Sequence, residues 1–289
     1  MPTHRRLNDA VHFKIERGNY IMLRSMYSGI SGLKNFQTKL DVIGNNIANV
    51  NTYGFKKGRT VFKDLYSQTV SGATAPGGPR GGVNPKQVGL GSQLATIDTI
   101  HTPGSTQFTG NTLDLAIEGD GFFVVGEAGG AGGANSLYTR AGIFYMDKAG
   151  DLVDGDGRYL LDSANAKINI PEGSKSISIG QNGEVKYVDS AGALQGTQKI
   201  QLAKFSNPGG LQKVGGNLYQ DSPNAGKQTG TDPLQGGRGS IVSGSLEMSN
   251  VDLSEEFTEM IVAQRGFQAN TRIITTSDEI LQELVNLKR

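Results

Sequence analysis

The chain has 289 residues, a formal net charge of +1 and no cysteine. The lack of cysteine excludes disulfides, thiolate catalysis and cysteine-ligated zinc sites. The near-neutral charge provides no basic field that would attract nucleic acid or an anionic membrane. Only three histidines are available for a metal site or an imidazole base, and no apolar run approaches the roughly 18 residues of a membrane span. We therefore predict no cofactor and no metal site.

Residues 1–21 differ from the rest of the chain. They are charged, they lack the periodic apolar pattern that begins at Met22, and they lack the apolar segment of a cleavable signal peptide. We expect translation to begin normally at Met22, with a cloning tag or a disordered tail as the alternatives. This N-terminal extension is left out of the fold prediction.

Residues 22–56 are predicted to form a long helix and an Asn-rich end. Apolar side chains recur at helical spacing from Leu23 to Val50, so a helix should begin near Leu23 or Arg24 and run about 28 residues. Asparagines at 45–51 weaken the helix because their amides compete for backbone hydrogen bonds. Gly54 is a natural left-handed stop. A helix with such a narrow apolar stripe is only marginally stable in isolation and needs a packing partner.

The middle of the chain is predicted to be β-rich. Residues 57–92 contain three prolines among Gly and Ala and indicate an extended arm. Residues 93–220 alternate short apolar runs with Asp-Gly or Asn-Gly turns, at 120–121, 156–157 and 182–183, which predicts hairpins in an antiparallel β domain. The first of these turns should join runs at 112–117 and 122–125. Residues 221–245 are predicted to be a linker.

Residues 246–289 are predicted to form the second terminal helix. Asp252 and Glu255 have the spacing of a capping box, which predicts a helix of about 36 residues starting there. Apolar residues follow at seven-residue spacing, at 253, 260, 267, 274 and 281. Gln264, Asn270, Thr271 and Ser277 are predicted to be polar positions of the seam, which select register at a cost in stability. The fold class is therefore α+β, with long terminal helices that pair as a coiled coil.

No motif in the sequence predicts catalysis. Gly119-Asp120-Gly121 is followed by a strand rather than a helix, so it does not fit a phosphate-binding loop. The acidic run 151–157 fails the spacing of a calcium loop. His101 has no second histidine nearby and is predicted to be solvated. We therefore predict that the chain is not an enzyme.

Three segments, in order, resemble signatures of the axial proteins of the bacterial flagellum. They are NNIANVNTYGFK at 45–56, LAIEGDGFF at 115–123, and SNVDL followed by MIVAQRGFQAN at 249–253 and 260–270. The ending at 281–287 also fits, and the resemblance covers Met22 to Arg289. The resemblance implies a subunit exported by the flagellar type III apparatus, without a cleavable signal, and stacked into a hollow helical tube.

Within that family the C-terminal motifs look most like a short hook protein, which links rod to filament and transmits torque. Larger hook proteins carry an additional outer β domain for which this chain has no room, so a distal rod protein of the basal body is the alternative. A secreted β-domain binding protein or enzyme is a remote alternative. The implied partners are other copies of the chain, adjacent axial and junction proteins, the export apparatus and a hook cap, with no nucleic acid and no membrane insertion.

The resemblance and the helical stripes together predict a set of subunit-interface residues. They lie on both terminal helices and in the two flanking signatures: Leu23, Met26, Ile30, Leu33, Leu40, Ile43, Asn45, Asn46, Ile47, Asn49, Asn51, Thr52, Gly54, Phe55, Asn250, Asp252, Leu253, Met260, Gln264, Arg265, Phe267, Gln268, Asn270, Ile274, Leu281 and Leu284.

Overall fold

A computed structural model describes residues 3–77, 81–127, 136–228 and 232–287, with side chains from residue 24 onward except residue 197. The chain divides into two compact units. The helical unit comprises the chain up to residue 45, residues 58–98 and the chain from residue 254. The β unit comprises residues 46–57 and 99–253.

Two long helices dominate the helical unit. Helix α1 spans Thr3–Ala48 and helix α2 spans Leu253–Leu287. The backbone of α1 is thus helical twenty residues upstream of the predicted start, where the sequence contains no proline after residue 2 that would stop it. Helix α2 begins where the capping pattern predicted, and Glu255 and Glu256 occupy its first turn, next to the positive end of the helix dipole. Among the described residues, no helix has the length and apolarity needed to cross a membrane.

The predicted extended arm contains paired strands. Strand β1 (Gly58–Asp64) pairs with β4 (Ser92–Thr99), and β2 (Ser67–Ser71) pairs antiparallel with β3 (Lys86–Gly89). Every residue of β2 and β3 is exposed. These two strands form a two-stranded ribbon, which we call the arm ribbon (residues 65–77 and 81–91).

The β unit is built from fifteen short strands among its described residues. They are β5 (Thr106–Phe108), β6 (Leu115–Glu118), β7 (Phe122–Gly126), β8 (Leu137–Thr139), β9 (Tyr145–Met146), β10 (Leu152–Val153), β11 (Tyr159–Leu160), β12 (Ser176–Ile179), β13 (Glu184–Val188), β14 (Leu194–Lys199), β15 (Leu202–Ala203), β16 (Gln212–Gly215), β17 (Leu218–Gln220), β18 (Ser240–Ser243) and β19 (Ser245–Glu247). A 3-10 turn lies at Pro208–Gly210.

These strands form one large sheet and three smaller ones. The large sheet has the order β16-β17-β8-β7-β11-β10-β9, with β15 also beside β7. Strands β12, β13 and β14 form a meander, β18 pairs with β6, and β19 pairs with β5. All of these pairings are antiparallel where their registers are described, which confirms the mostly antiparallel β prediction.

The core of the β unit is organised around β7, which is buried along its whole length. Side chains alternate across a strand. Accordingly, Phe123 and Val125 join a cluster with Leu115, Leu160 and Ile200, whereas Phe122 and Val124 join a second cluster that contains Tyr138, Phe205 and Tyr219. A strand that is apolar on both faces, FFVVG, can lie only in the interior of a sheet covered on both sides.

Two of the three predicted hairpins are present and one is not. The turns at 154–157 and 180–183 join the antiparallel pairs β10–β11 and β12–β13. The prediction of a hairpin at 118–121 was wrong, because β6 pairs with β18 while β7 pairs with β8, β11 and β15. Gly119 and Gly121 both have positive φ angles, +111° and +144°, and redirect the chain from one sheet to the next.

The segment predicted to be a linker, 221–245, lies within the β unit. It contributes β18, whose register places Ile241 opposite Ile117 in the core. The glycines of this segment form turns around the strand. Their abundance predicted a loop and concealed the strand that the short apolar run 241–242 forms.

Candidate assembly surfaces

Helices α1 and α2 lie against each other within the helical unit. A Cβ added to Gly29 would lie 3.5 Å from Ile274, one added to Gly32 would lie 3.0 Å from the Asn270 amide, and one added to Gly266 would lie 2.5 Å from the Phe36 ring. Rising numbers on α1 meet falling numbers on α2, so the helices run antiparallel. Glycine at these positions allows the close approach. The coiled-coil geometry itself remains a prediction.

Helix α2 presents a partly polar face to α1. Glu256, Ala263 and Ser277 are buried, and Asn270 is half-buried, at seven-residue spacing. Asn270 Nδ2 donates to the Gly266 carbonyl at 3.0 Å, and Ser277 Oγ donates to the Ile273 carbonyl at 2.7 Å. Asn270 and Ser277 in this seam are thus bonded to their own helix backbone.

The four polar residues predicted for the seam differ in exposure. Gln264 and Thr271 are exposed, whereas Asn270 is half-buried and Ser277 is buried. The buried line of α2 follows residues 256, 263, 270 and 277, one position before Gln264 and Thr271. Periodicity alone cannot distinguish neighbouring helical positions at the margin of a stripe.

The predicted interface residues of the helices differ in exposure. Ile43 is buried, Leu23 lies outside the described side chains, and seven others are partly buried: Met26, Leu33, Leu40, Met260, Phe267, Ile274 and Leu281. Three apolar ones are exposed, namely Ile30, Leu253 and Leu284, as are Gln264, Arg265 and Gln268.

Further apolar side chains on α2 are exposed although the sequence prediction missed them: Phe257, Ile261, Val262, Ile273, Ile280 and Val285. Ile261 shares a shallow concavity with Gln264, Arg265 and Gln268. The sequence signal that could have revealed this exposed face was the presence of apolar residues outside the seven-residue repeat. A helix that is apolar beyond its paired face has a second surface to bury.

The Asn-rich segment forms a chain of tight turns at the end of α1. Within the β unit, Asn46 is buried, while Ile47, Asn49 and Thr52 are partly buried and Asn51 is exposed. Thr52 Oγ1 bonds Asn49 Oδ1 at 3.1 Å. Gly54 has φ +68° and its N–H donates to the Glu247 carbonyl at 2.8 Å. A Cβ there would lie 2.5 Å from the backbone of Ala141, so glycine is required both by angle and by space.

The next residues form a buried cluster of three charges, the Lys56–Glu247–Arg140 cluster. Lys56 Nζ contacts one Glu247 oxygen, and Arg140 Nη1 contacts the other at 3.1 Å. The three side chains are 0–3% exposed. Lys56 also donates to the Thr102 carbonyl at 2.9 Å, and Gly104 N–H donates to Glu247 at 3.0 Å. Burial lowers the pKa of Lys56, and the neighbouring Glu247 partly offsets this.

Through its side-chain amide, Asn250 of the C-terminal signature bonds Lys57, the residue that follows the first signature. Its Oδ1 accepts from Lys57 N–H at 2.8 Å, and its Nδ2 donates to the carbonyl of Ile100 at 2.9 Å. The structure therefore brings together the signatures 45–56 and 249–253 at their β-unit ends, including Phe55, which is buried. Asp252 is exposed. Lys56, Arg140 and Glu247 were not predicted as site residues, although Lys56 is the last residue of the first signature. The available signal was that Arg140 and Glu247 each stand alone among uncharged residues.

The prediction that His101 is solvated was wrong. Its ring packs edge-on to Phe122 at 5.6 Å and Tyr219 at 5.5 Å. Burial lowers the pKa of His101 to about 4, aided by the positive charges of Lys56, Arg140 and Lys213. Burial also raises the pKa of Tyr219 to about 12. The residues next to His101 in the sequence, Thr102 and Pro103, gave no indication that its ring packs against aromatic side chains.

Comparison with known protein families assigns three parts of the chain. Residues 26–56 match the family model "Flagella basal body rod protein", residues 116–187 match "Flagellar hook protein FlgE/F/G D1 domain", and residues 242–287 match "Flagellar basal body rod FlgEFG protein C-terminal". The buried Lys56–Glu247–Arg140 cluster draws one charge from the first match and one from each of the other two.

Individual relatives agree with these matches. The flagellar basal-body rod protein FlgG of Bacillus subtilis is 59% identical over 269 residues, which cover 93% of this chain and all of the relative. The flagellar hook protein FlgE of Borreliella burgdorferi is 32% identical over 446 aligned positions, which cover 92% of this chain and all of the relative. The rod protein FlgG of Agrobacterium fabrum is 36% identical over 89% of this chain and 97% of its own length.

These matches define the class of protein as a structural component of the flagellum, not an enzyme. In particular, the chain belongs to the flagellar rod and hook family of axial proteins, as its signatures indicated.

Replacement of Gly54 by alanine should destabilise the β unit by about 2–4 kcal/mol, because the left-handed φ angle is strained for alanine and the new Cβ meets the Ala141 backbone. Denaturant unfolding followed by tyrosine fluorescence measures the loss. Gly155→Ala is the matched control, since its Cβ would meet nothing within 4 Å. Equal midpoints for the two variants would contradict the role of Gly54.

In the charge cluster, Glu247→Gln should cost more stability than Lys56→Met. The first change leaves Lys56 and Arg140 buried without a carboxylate, a loss of roughly 3–5 kcal/mol. The second leaves a neutral Arg140–Glu247 pair. Unfolding free energies of both variants and of the double variant give the coupling energy. The reverse order of stability would show that Glu247 does not hold the cluster together.

Between pH 6.5 and 4 the unfolded chain binds a proton at His101 that the folded chain does not bind, so stability should fall as pH falls. The full effect is about 3 kcal/mol. Because carboxylates titrate over part of this range, the informative quantity is the difference from His101→Phe, which keeps the aromatic packing but cannot titrate. Parallel pH profiles for the two proteins would mean that His101 is not held neutral by the fold.

Proposed function

We propose that the chain is a distal rod subunit of the flagellar basal body, which polymerises into a hollow helical tube. Chain length carries this proposal. The rod relatives align over 97–100% of their own length, in 261–277 positions. The alignment with a hook relative needs 446 positions, although 92% of this chain is only about 266 residues. The hook relatives therefore contain a large segment that this chain lacks.

A hook subunit is the second candidate. Two hook proteins of spirochaetes align over their whole lengths at 32% and 28% identity. The C-terminal signature at 246–265 suits both assemblies. The higher identity to a rod protein and the missing segment favour the rod over the hook interpretation.

The surfaces of the helical unit supply the contacts that polymerisation needs. Apolar residues on α2, among them Phe257, Ile261 and Ile273, leave about half of their side-chain surface exposed in the single subunit. In a tube these residues would be buried by the helices of neighbouring subunits, with the predicted interface residues arranged as coiled coils. Export through the flagellar type III apparatus and contact with adjacent axial proteins follow from this role.

The arm ribbon is suited to make the tube rigid. Its strands are exposed at every residue, and Tyr66, Val70 and Val88 are 89%, 64% and 44% exposed. A short, fully exposed ribbon with apolar side chains gains nothing from the subunit that carries it. Insertion between neighbouring subunits would bury these side chains and restrict sliding of one subunit against the next. A straight, rigid rod requires this restriction, whereas a hook that bends does not.

Electron microscopy of tubes assembled from the purified chain tests this proposal. We expect straight tubes. Tyr66→Ser combined with Val70→Ser should shorten or curve them, because each change removes apolar surface from the arm ribbon. Leu194→Ser, which removes an equally exposed side chain from the β unit, is the control. Curved tubes from the unsubstituted chain would favour a hook, and straight tubes from the double variant would remove the arm ribbon from the explanation.

A further inference from the structure

The charged residues on the outer face of α2 form two blocks. Arg265 and Arg272, the basic block, lie in the middle of the helix, and Glu279 and Glu283, the acidic block, follow toward its C-terminal end. All four side chains are exposed. Because successive residues turn by about 100°, the four lie within about 40° of one another around the helix axis. They therefore share one face of α2, on the side away from the seam that faces α1.

This arrangement brings no ion pair to the single subunit. An ion pair joins Lys39 of α1 to Glu259 of α2 at 3.0 Å, but none of the four block residues forms one among the described residues. Arg272 and Glu279 are seven positions apart, beyond the three- or four-residue spacing at which side chains pair along a helix. Glu279 and Glu283 are four positions apart, so their like charges repel. The two blocks therefore suit partners outside the subunit.

Apolar side chains flank the charged face on both sides. Ile261 lies on one flank, and Val262, Ile273 and Ile280 lie on the other, all of them exposed. Helices that pack side by side bury such flanks and leave long charged side chains at the margin of the contact, as at the e and g positions of coiled coils. From there these side chains can reach a neighbouring helix whose axis is about 8–10 Å away. A second α2 packed against these flanks therefore brings the charged blocks of two copies within reach of each other.

The order of the blocks determines the register of such a contact. In a tube generated by repeating one screw operation, all copies point the same way along the axis. Unstaggered parallel neighbours would place arginine against arginine and glutamate against glutamate. Glu279 follows Arg265 by 14 positions, and Glu283 follows Arg272 by 11. At 1.5 Å per residue, a shift of about 17–21 Å therefore places the basic block of one copy beside the acidic block of the next.

We propose that the α2 helices of neighbouring subunits pack side by side and parallel, with an axial stagger of about 17–21 Å that pairs the basic block of one copy with the acidic block of the next. This rests on the tubular assembly proposed above and adds to it the register between copies. One exposed ion pair contributes little, but the pairing recurs between all neighbouring copies, and repulsion disfavours the unstaggered alternative. The charge pattern thus favours a helical stack over a flat ring.

Charge reversal tests this register. Arg265→Glu combined with Arg272→Glu should raise the protein concentration needed for assembly roughly tenfold, because the facing blocks then carry like charges. Glu279→Arg combined with Glu283→Arg should do the same. The variant with all four changes restores opposite charges and should assemble like the unsubstituted chain. A mixture of the two double variants should also assemble, because one carries two acidic blocks and the other two basic ones.

The control variant combines Lys148→Glu with Lys175→Glu. It makes the same change in net charge as the reversed basic block, but at exposed positions of the β unit, so its assembly should be unchanged. Circular dichroism of each monomer verifies that its helices are retained, and sedimentation velocity measures association whatever the shape of the product. Normal assembly of both double variants, an equal loss in the control, or no recovery in both the fourfold variant and the mixture would overturn the proposed register.

Electron cryo-microscopy of the tubes measures the stagger directly. Neighbouring α2 helices should be parallel and offset by about 17–21 Å. Unstaggered or antiparallel neighbours, or closed dimers in place of extended assemblies, would refute the proposal. Tubes that form regardless of the charges refute the register and leave the rod function intact. Charge-dependent association into extended products other than tubes supports the register and refutes the rod function, and an unsubstituted chain that does not associate refutes both.

Discussion

The structure of the β unit depends on one buried carboxylate. Glu247 lies in the buried strand β19 with 1% of its side chain exposed, and an ionised carboxylate is retained in such a place only when it is paired and hydrogen-bonded. Lys56 and Arg140 supply the charges, and Gly104 N–H supplies a further bond. Because these partners come from distant parts of the chain, the pairing draws the residues after α1 and the residues before α2 into the same β unit.

This anchoring has a consequence for both terminal helices. The segments that lead out of α1 and into α2 are held by directional bonds, at Gly54, Lys57 and Asn250, rather than by apolar packing alone. Directional bonds define a single geometry where apolar contacts would tolerate several. Repetition of one subunit geometry is what a regular helical assembly requires.

The helical unit uses the opposite strategy. Its inner seam combines small and self-bonded polar residues, such as Gly266 and Asn270, with the half-buried side chains of Phe36 and Ile274. Further large apolar side chains, Phe257 and Ile261 among them, remain exposed. A protein that is stable as a monomer would bury these apolar side chains within its own fold. Their exposure is therefore typical of a subunit whose apolar surface is buried only on assembly.

The sequence by itself determined the helices, the antiparallel β class, the start of α2 and the family. Each of these follows from local signals: side-chain period, capping spacing, turn residues and contiguous signatures. Only the tertiary structure decided the partners of β6 and β7, the ordered ribbon within the Gly-rich arm, the exposed face of α2 and the pairing of Glu247 with Lys56 and Arg140. The pairing of β6 with β18 and the pairing of Glu247 with both of its cations join residues that are more than 100 positions apart. No local periodicity records which distant charge a buried carboxylate will meet.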